Sequence, residues 1–282
     1  MTISLIGHGQ HAGARAAAIR ARSGCTLVEP PPALAKGDLT ALEAVPKGAF
    51  ADLDVAFVTA PAAARYRLAE AATRQSTHVF LAWPPAPSIA ECEALVDLAE
   101  EAGVEVGVSR PLRFHPLFEV LPADWRAHLI VARQAVDSGT PTFWPPRCAD
   151  AIDLCCALAC SNSIQRIDAE AVPRHAAWPH ALAFSLRFHS GTYAQIHLTR
   201  SQRATPDDGI YVAGADFQVE ADWDGRAVYT HEAKYTYEGS NFIAAETHAF
   251  LDALAHRRLP PVSILDGLHT LRLVERLMER LR

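Results

Sequence analysis

The sequence predicts an α/β fold that opens with a parallel sheet and continues into an α+β domain whose open sheet is largely antiparallel. Three observations carry this expectation. Short apolar runs alternate with helical patterns over the first third of the chain, the rhythm of βαβ units. A glycine-containing turn separates the first apolar run from the first helix. After about Pro116 the texture changes to segments in which apolar and polar residues alternate, as in antiparallel strands with one buried face.

Taken in order, residues 3–6 read as a strand, 10–22 as a helix ended near Gly24, and 25–28 as the next strand. Residues 54–59 form a buried strand, 62–74 an alanine-rich helix and 78–81 a further strand. Ser88 and Glu91 have capping-box spacing, so a helix starts there, stops at Gly103 and leads to a strand over 104–108. In the remainder, 182–188 and 193–198 alternate strictly. More strands are expected between 210 and 237, punctuated by the turn signals Asp207-Asp208-Gly209 and Asp224-Gly225. Helices are expected over 149–159, 244–256 and 264–281. The expected division is a first domain over 1–116 and a second over 117–282, with the C-terminal helices as candidates to pack back on the first.

With 282 residues, half of them hydrophobic, the chain can build two substantial cores. A formal charge of -6, with Lys and Arg scattered rather than massed, argues against a nucleic-acid partner. No run approaches the roughly 18 apolar residues of a membrane span, and the chain enters a strand without a basic leader. A cytoplasmic protein without a membrane partner is therefore expected. The six cysteines, Cys25, Cys92, Cys148, Cys155, Cys156 and Cys160, are then expected as reduced thiols. Cys156 and Cys160 would lie one helical turn apart near Cys148, but CxxC spacing is absent and no metal is expected. Trp144, Trp178 and Trp223 stand in no motif and read as packing residues.

The strongest chemical motif is Gly7-His8-Gly9-Gln10-His11-Ala12, a G-x-G-x-x-A turn between strand and helix. Its first glycine permits the tight turn, its second lets backbone approach a pyrophosphate, and Ala12 lets helix pack closely on strand. The helix N-terminus then offers N–H groups and a positive dipole end to phosphates. Glu29 closes the second strand about 20 residues later, where a carboxylate accepts hydrogen bonds from ribose hydroxyls. These features predict a Rossmann-type sheet that binds NAD(H) in preference to NADP(H), because Glu29 would repel a 2′-phosphate. A tight βα turn without a cofactor is the alternative. His8 and His11 lie inside the turn, either touching the cofactor or facing solvent.

The sequence at this point resembles the Gfo/Idh/MocA family, named for glucose–fructose oxidoreductase and inositol dehydrogenase. Besides the turn, the likeness rests on Asp54-Val-Ala-Phe-Val-Thr-Ala-Pro61, His78-Val-Phe-Leu-Ala-Trp-Pro84, Leu112-Arg-Phe-His-Pro116 and the C-terminal Asp266-Gly-Leu helix. The resemblance implies oxidation of a hydroxyl on a sugar, polyol or related small molecule, and an open second-domain sheet that makes a homodimer or higher oligomer. It places Thr59, Ala60, Pro61, Ala82, Trp83 and Pro84 beside the cofactor, and Arg113 and His115 towards substrate, with simple linker structure as the alternative for these two. Where the family has the lysine of a Glu-Lys-Pro motif, this chain has Trp83; where it has a histidine acid or base, it has Asp150. Pro146 stands at an aspartate position, and Asp153 keeps the final carboxylate of that helix pattern.

Asp150 and Asp153 are thus the candidate catalytic pair. One turn apart, they could raise a pKa by repulsion, or the pair could be solvated or salt-bridged. Two functions follow: an NAD-dependent oxidoreductase with non-standard acid/base residues, or a pseudoenzyme that binds a dinucleotide or metabolite as a sensor or assembly partner. A weaker third is a lyase or hydrolase that oxidises its substrate transiently.

Overall fold

Short β-rich apolar runs, each followed by a helix, fold in the computed structural model into a five-stranded parallel sheet with order β2-β1-β3-β4-β5. The structure describes residues 1–8, 11–35, 39, 44–136, 144–173, 179–200, 208–223, 226–237 and 242–281. Gly9, Gln10, Trp178, Asp207, Asp224 and Gly225 lie outside them. The chain divides into two units, Met1–Pro111 with Asn241–Leu271, and Leu112–Ser240 with Arg272–Arg282.

In the first unit the elements are β1 (Thr2–Ile6), α1 (Ala12–Ala21), β2 (Thr26–Val28), α2 (Pro32–Ala35), β3 (Val55–Val58), α3 (Ala62–Thr73), β4 (His78–Leu81), α4 (Ile89–Ala102) and β5 (Val106–Val108). Every residue of β3 is buried, the pattern of a central parallel strand covered on both faces. Ser88 Oγ accepts from the Glu91 backbone N–H at 3.2 Å and donates to its carboxylate at 2.6 Å, so the cap forms as its spacing predicts. Gly103, at φ 65°, ends α4 in the left-handed region.

One face of this sheet is covered by α6 (Phe242–Ala255), which inserts Phe250 and Leu251 among Ile3, Ile19, Val55, Phe57 and Phe80. Phe250 meets Phe80 edge-on at 4.9 Å and Phe57 at 5.9 Å. Gly107 on β5 makes the room, since a Cβ there would lie 2.8 Å from the Phe250 ring. Burial of such a ring contributes roughly 2–3 kcal/mol.

The second unit is built on an eight-stranded sheet of order β13-β12-β11-β10-β6-β9-β8-β7. Its strands are β6 (Leu129–Val136), β7 (Ile164–Val172), β8 (Ala181–Phe188), β9 (Tyr193–Arg200), β10 (Gly209–Ala213), β11 (Gln218–Asp222), β12 (Ala227–Thr230) and β13 (Lys234–Thr236). All neighbours are antiparallel except β6 and β9. The sheet is therefore mixed and largely antiparallel, as expected. Along β9, Ala194, Ile196 and Leu198 are buried, while Tyr193 and His197 on the opposite face are half-buried. Helix α5 (Trp144–Leu158) buries Trp144, Cys148, Ile152, Leu154 and Cys155. It begins five residues before the expected 149–159, and α7 (Ile264–Arg280) closes the chain. Among the described residues no helix is long and apolar enough to cross a membrane.

Candidate functional site

Strand order reverses between β1 and β3 in the first sheet, and open α/β sheets bind ligands at the carboxyl ends of the strands at such a point. Gly7 leaves β1 there with φ 98°, a conformation that favours glycine. A Cβ on it would also lie 2.8 Å from the Ala60 backbone nitrogen and 3.1 Å from Thr59 Oγ1. The turn after β1 and the loop after β3 are thus in close contact, and Thr59 donates its N–H to the Ile6 carbonyl at 2.8 Å. Helix α1 follows at Ala12, with His11 at its N-cap; no side chain caps it and no acid stands in its first turn. Its N-terminus keeps the donors and the dipole that favour an anion. His8 and Glu29 are exposed, and His11 is half-buried beside Arg15, with burial and then that cation lowering its pKa. These residues fit a dinucleotide diphosphate and ribose.

Beyond the switch point, the loops after β3, β4 and β5 are tied together by arginines. Arg65, near the start of α3 and 6% exposed, donates from Nη2 to the Ala60 carbonyl at 2.6 Å and from Nη1 to the Pro84 carbonyl. Arg110 lays its guanidinium over the Trp83 ring, 3.6 Å from the centroid. The Arg110 backbone N–H donates to Glu246 on α6, and Ser109 Oγ donates to the same carboxylate at 3.1 Å. Glu246 in turn pairs with Arg15 of α1 at 2.5 Å, both side chains being 2% exposed. Burial pushes the Glu246 carboxyl up, against the pull of the Arg15 cation.

In the second unit, Arg113 grips Asp153 with its fork, Nε to Oδ2 at 2.9 Å and Nη2 to Oδ1 at 2.8 Å. The Asp153 side chain is 2% exposed. Asp150 is half-buried, and its carboxylate lies 3.7 Å from Arg147 Nη1. Each aspartate thus has an arginine, and the salt-bridged alternative describes the pair. His115 is buried between Tyr237, whose hydroxyl is 2.8 Å from Nε2, and the edge-on ring of Trp223. Its Nδ1 accepts the Leu117 N–H at 3.0 Å, so the ring hydrogen belongs on Nε2 and points at the tyrosine oxygen. Burial lowers its pKa to about 4.

The first unit therefore gathers Gly7, His11, Ala12, Thr59, Ala60, Pro61, Ala82, Trp83 and Pro84 at strand ends or loops beside them. Arg113 and Asp153 are brought together in the second, whereas His115 faces Tyr237 and Trp223 instead. Sequence reading overlooked Arg15, Arg65, Arg110, Tyr237 and Glu246. A signal was present for Arg15 and Arg65: each lies three residues before a buried apolar residue of its helix, Ala18 and Leu68, a place where charge is unusual.

Residues 4–110 match the family model described as an oxidoreductase family with an NAD-binding Rossmann fold. No significant match is found among curated protein sequences. Among solved structures, UDP-N-acetylglucosamine 3-dehydrogenase from Acidithiobacillus ferrooxidans aligns with a TM-score of 0.81 at 18% identity, over 100% of this chain and 97% of its own. An oxidoreductase from Agrobacterium radiobacter in complex with NAD+, L-tartaric acid and magnesium aligns at 0.78 and 15%, over 99% and 96%. Biliverdin reductase from Synechocystis sp. PCC 6803, in complex with biliverdin and NADP+, aligns at 0.71 and 17%, over 99% and 98%. At these identities the likeness shows the fold.

Proposed function

Starting from a first domain that belongs to the Gfo/Idh/MocA oxidoreductases, with their NAD-binding Rossmann fold, we propose that this protein binds NAD(H) and oxidises a hydroxyl, or reduces the matching carbonyl, on a small molecule such as a sugar or polyol. The observation that carries this reading is the Gly7 turn at the β1–β3 switch point, followed by an α1 N-terminus without an acid or a side-chain cap. Exposed Glu29, just after β2, is the proposed partner of the ribose hydroxyls and the reason for preferring NAD(H) over NADP(H).

A bound nicotinamide supplies the hydride acceptor or donor. The chain's own part is to bind it, to orient it between the arginine-tied loops and to accept the hydroxyl proton. With Trp83 carrying no basic atom and Asp153 gripped by Arg113, Asp150 is the proposed proton acceptor. Asp153 is assigned the supporting role of holding Arg113. The protein is proposed to act in the cytoplasm as a homodimer or higher homo-oligomer.

Calorimetric titration is expected to give tighter binding of NADH than of NADPH; the reverse order would overturn the Glu29 argument, and binding of neither would remove the cofactor. A substrate screen read by NADH absorbance follows, on wild type and Asp150→Asn. That substitution is expected to lower turnover by roughly two orders of magnitude or more with NADH affinity unchanged, and turnover that survives it would exclude Asp150. One observation favours the second reading, a dinucleotide-binding pseudoenzyme. Trp83, locked under Arg110, occupies a position where the family resemblance expects a proton-carrying lysine. NADH binding without turnover across the screen is its expected signature.

A further inference from the structure

Arg65 belongs to the helix that crosses over from β3 to β4, and it bonds to both loops that leave those strands. One guanidinium arm holds the Ala60 carbonyl, five residues back in its own loop, and the other holds the Pro84 carbonyl, one loop further along the sheet. The side chain is almost fully buried, and its Nε makes no hydrogen bond among the described residues. No carboxylate pairs with it among those residues either. Burial of the cation depresses its pKa to about 10, so it is charged at neutral pH and pays a desolvation cost that neutral carbonyls only partly offset. A buried cation is an expensive way to fill space. What it alone provides is a rigid planar fork that reaches two acceptors at a fixed separation, which lysine, with one compact ammonium, does not.

The place of that fork in the sheet gives it a meaning. A dinucleotide lies across the switch point, so that with Glu29 and Gly7 on the β2–β1 side, its adenosine half belongs there and its nicotinamide half over β3 and β4. We propose that Arg65 is a positioning residue that sets the separation of the Ala60 and Pro84 loops, and through it the seat of the nicotinamide half of the dinucleotide. The proposal rests on the dinucleotide reading above. It assigns Arg65 no part in proton or hydride transfer.

The test compares NADH with ADP-ribose, which has the adenosine and diphosphate parts but no nicotinamide, on wild type, Arg65→Met and Arg65→Lys. Thermal unfolding without ligand identifies the folded variants, and Arg65→Lys, which keeps the charge, covers the case in which the methionine variant does not fold. In a folded variant, NADH affinity should fall about tenfold while ADP-ribose affinity stays within about twofold of wild type. Equal weakening of both ligands would show a general structural role and overturn the proposal. So would wild-type NADH affinity in Arg65→Lys, because charge without the fork would then suffice. Wild-type protein that binds neither ligand is a different failure, that of the dinucleotide reading itself.

Discussion

His115 illustrates how far a single side chain departs from what its position in the sequence suggests. Read as a group turned towards substrate, it is buried against Trp223 and Tyr237, with both ring nitrogens in hydrogen bonds. Its pKa near 4 lies below the value of about 6.5 expected in the unfolded chain. Between those values the unfolded chain takes up a proton that the folded one refuses, so stability is full above pH 6.5 and declines as pH falls towards 4. Urea unfolding at pH 7 and pH 5 should therefore show a loss attributable to His115 of about 2 kcal/mol. His115→Asn, which can still accept the Leu117 N–H but does not titrate, should flatten that dependence. An unchanged slope in the variant would place the proton uptake elsewhere. Burial on this scale was illegible in the motif Leu112-Arg-Phe-His-Pro116, because the aromatic partners lie more than a hundred residues downstream. Gly7 was legible for the opposite reason, since its constraint is local: φ 98° is a property of one residue and its turn.

Elements whose hydrophobic pattern matches their period were found close to their true bounds. His78–Leu81 coincides with the expected strand, and α3 and α4 differ from expectation by no more than a residue at either end. Two strands escaped, β6 and β7. In β7 the buried residues are Ile164 and Ile167, three apart, because a register shift between Ile164 and Arg166 interrupts the alternation. That spacing reads as a helical face. The contact of α1 with α6 was equally unreadable, since an apolar stripe does not name its partner; in the structure it includes the buried Arg15–Glu246 pair, with Thr247 also accepting from Arg15 at 3.1 Å. Arg15→Met would leave Glu246 buried without its cation and should cost about 3–5 kcal/mol in stability. Adding Glu246→Leu should recover much of the loss, because a pair replaced by apolar groups no longer carries the desolvation penalty. Chemical denaturation of Arg15→Met, Glu246→Leu and the double variant measures this, and additive losses in the double variant would show that the two side chains are not coupled.

At the scale of the whole molecule, the change of texture near Pro116 marks where the parallel sheet ends, and 241–271, among the C-terminal segments named as candidates to pack back on the first domain, group with the first unit. What the second unit's sheet leaves uncovered bears on assembly. Alternation along β8 and β9 buries Leu182, Phe184, Leu186, Ala194, Ile196 and Leu198, and turns Ala183, Ser185, Tyr193, Gln195 and His197 to the other face. Neighbouring strands add Leu129, 37% exposed, and half-buried Val131, Tyr211 and Tyr229. Small and aromatic residues of this kind share that face with charges of both signs, among them Arg133, Asp168, Glu170, Arg187 and Glu220, a mixture that suits an isologous contact in which one patch meets its own copy about a two-fold axis. A stable contact of that type buries on the order of 1,600 Å² in total, an area that several adjacent strands can supply. Light scattering behind size exclusion is therefore expected to give a dimer or a larger even oligomer at tens of micromolar. Tyr211→Asp, which puts a charge on this face while leaving the buried face of β10 untouched, should shift the population towards monomer without lowering the melting temperature of the monomeric form. A wild-type monomer at that concentration would refute assembly, and an oligomer indifferent to Tyr211→Asp would move the interface to another surface.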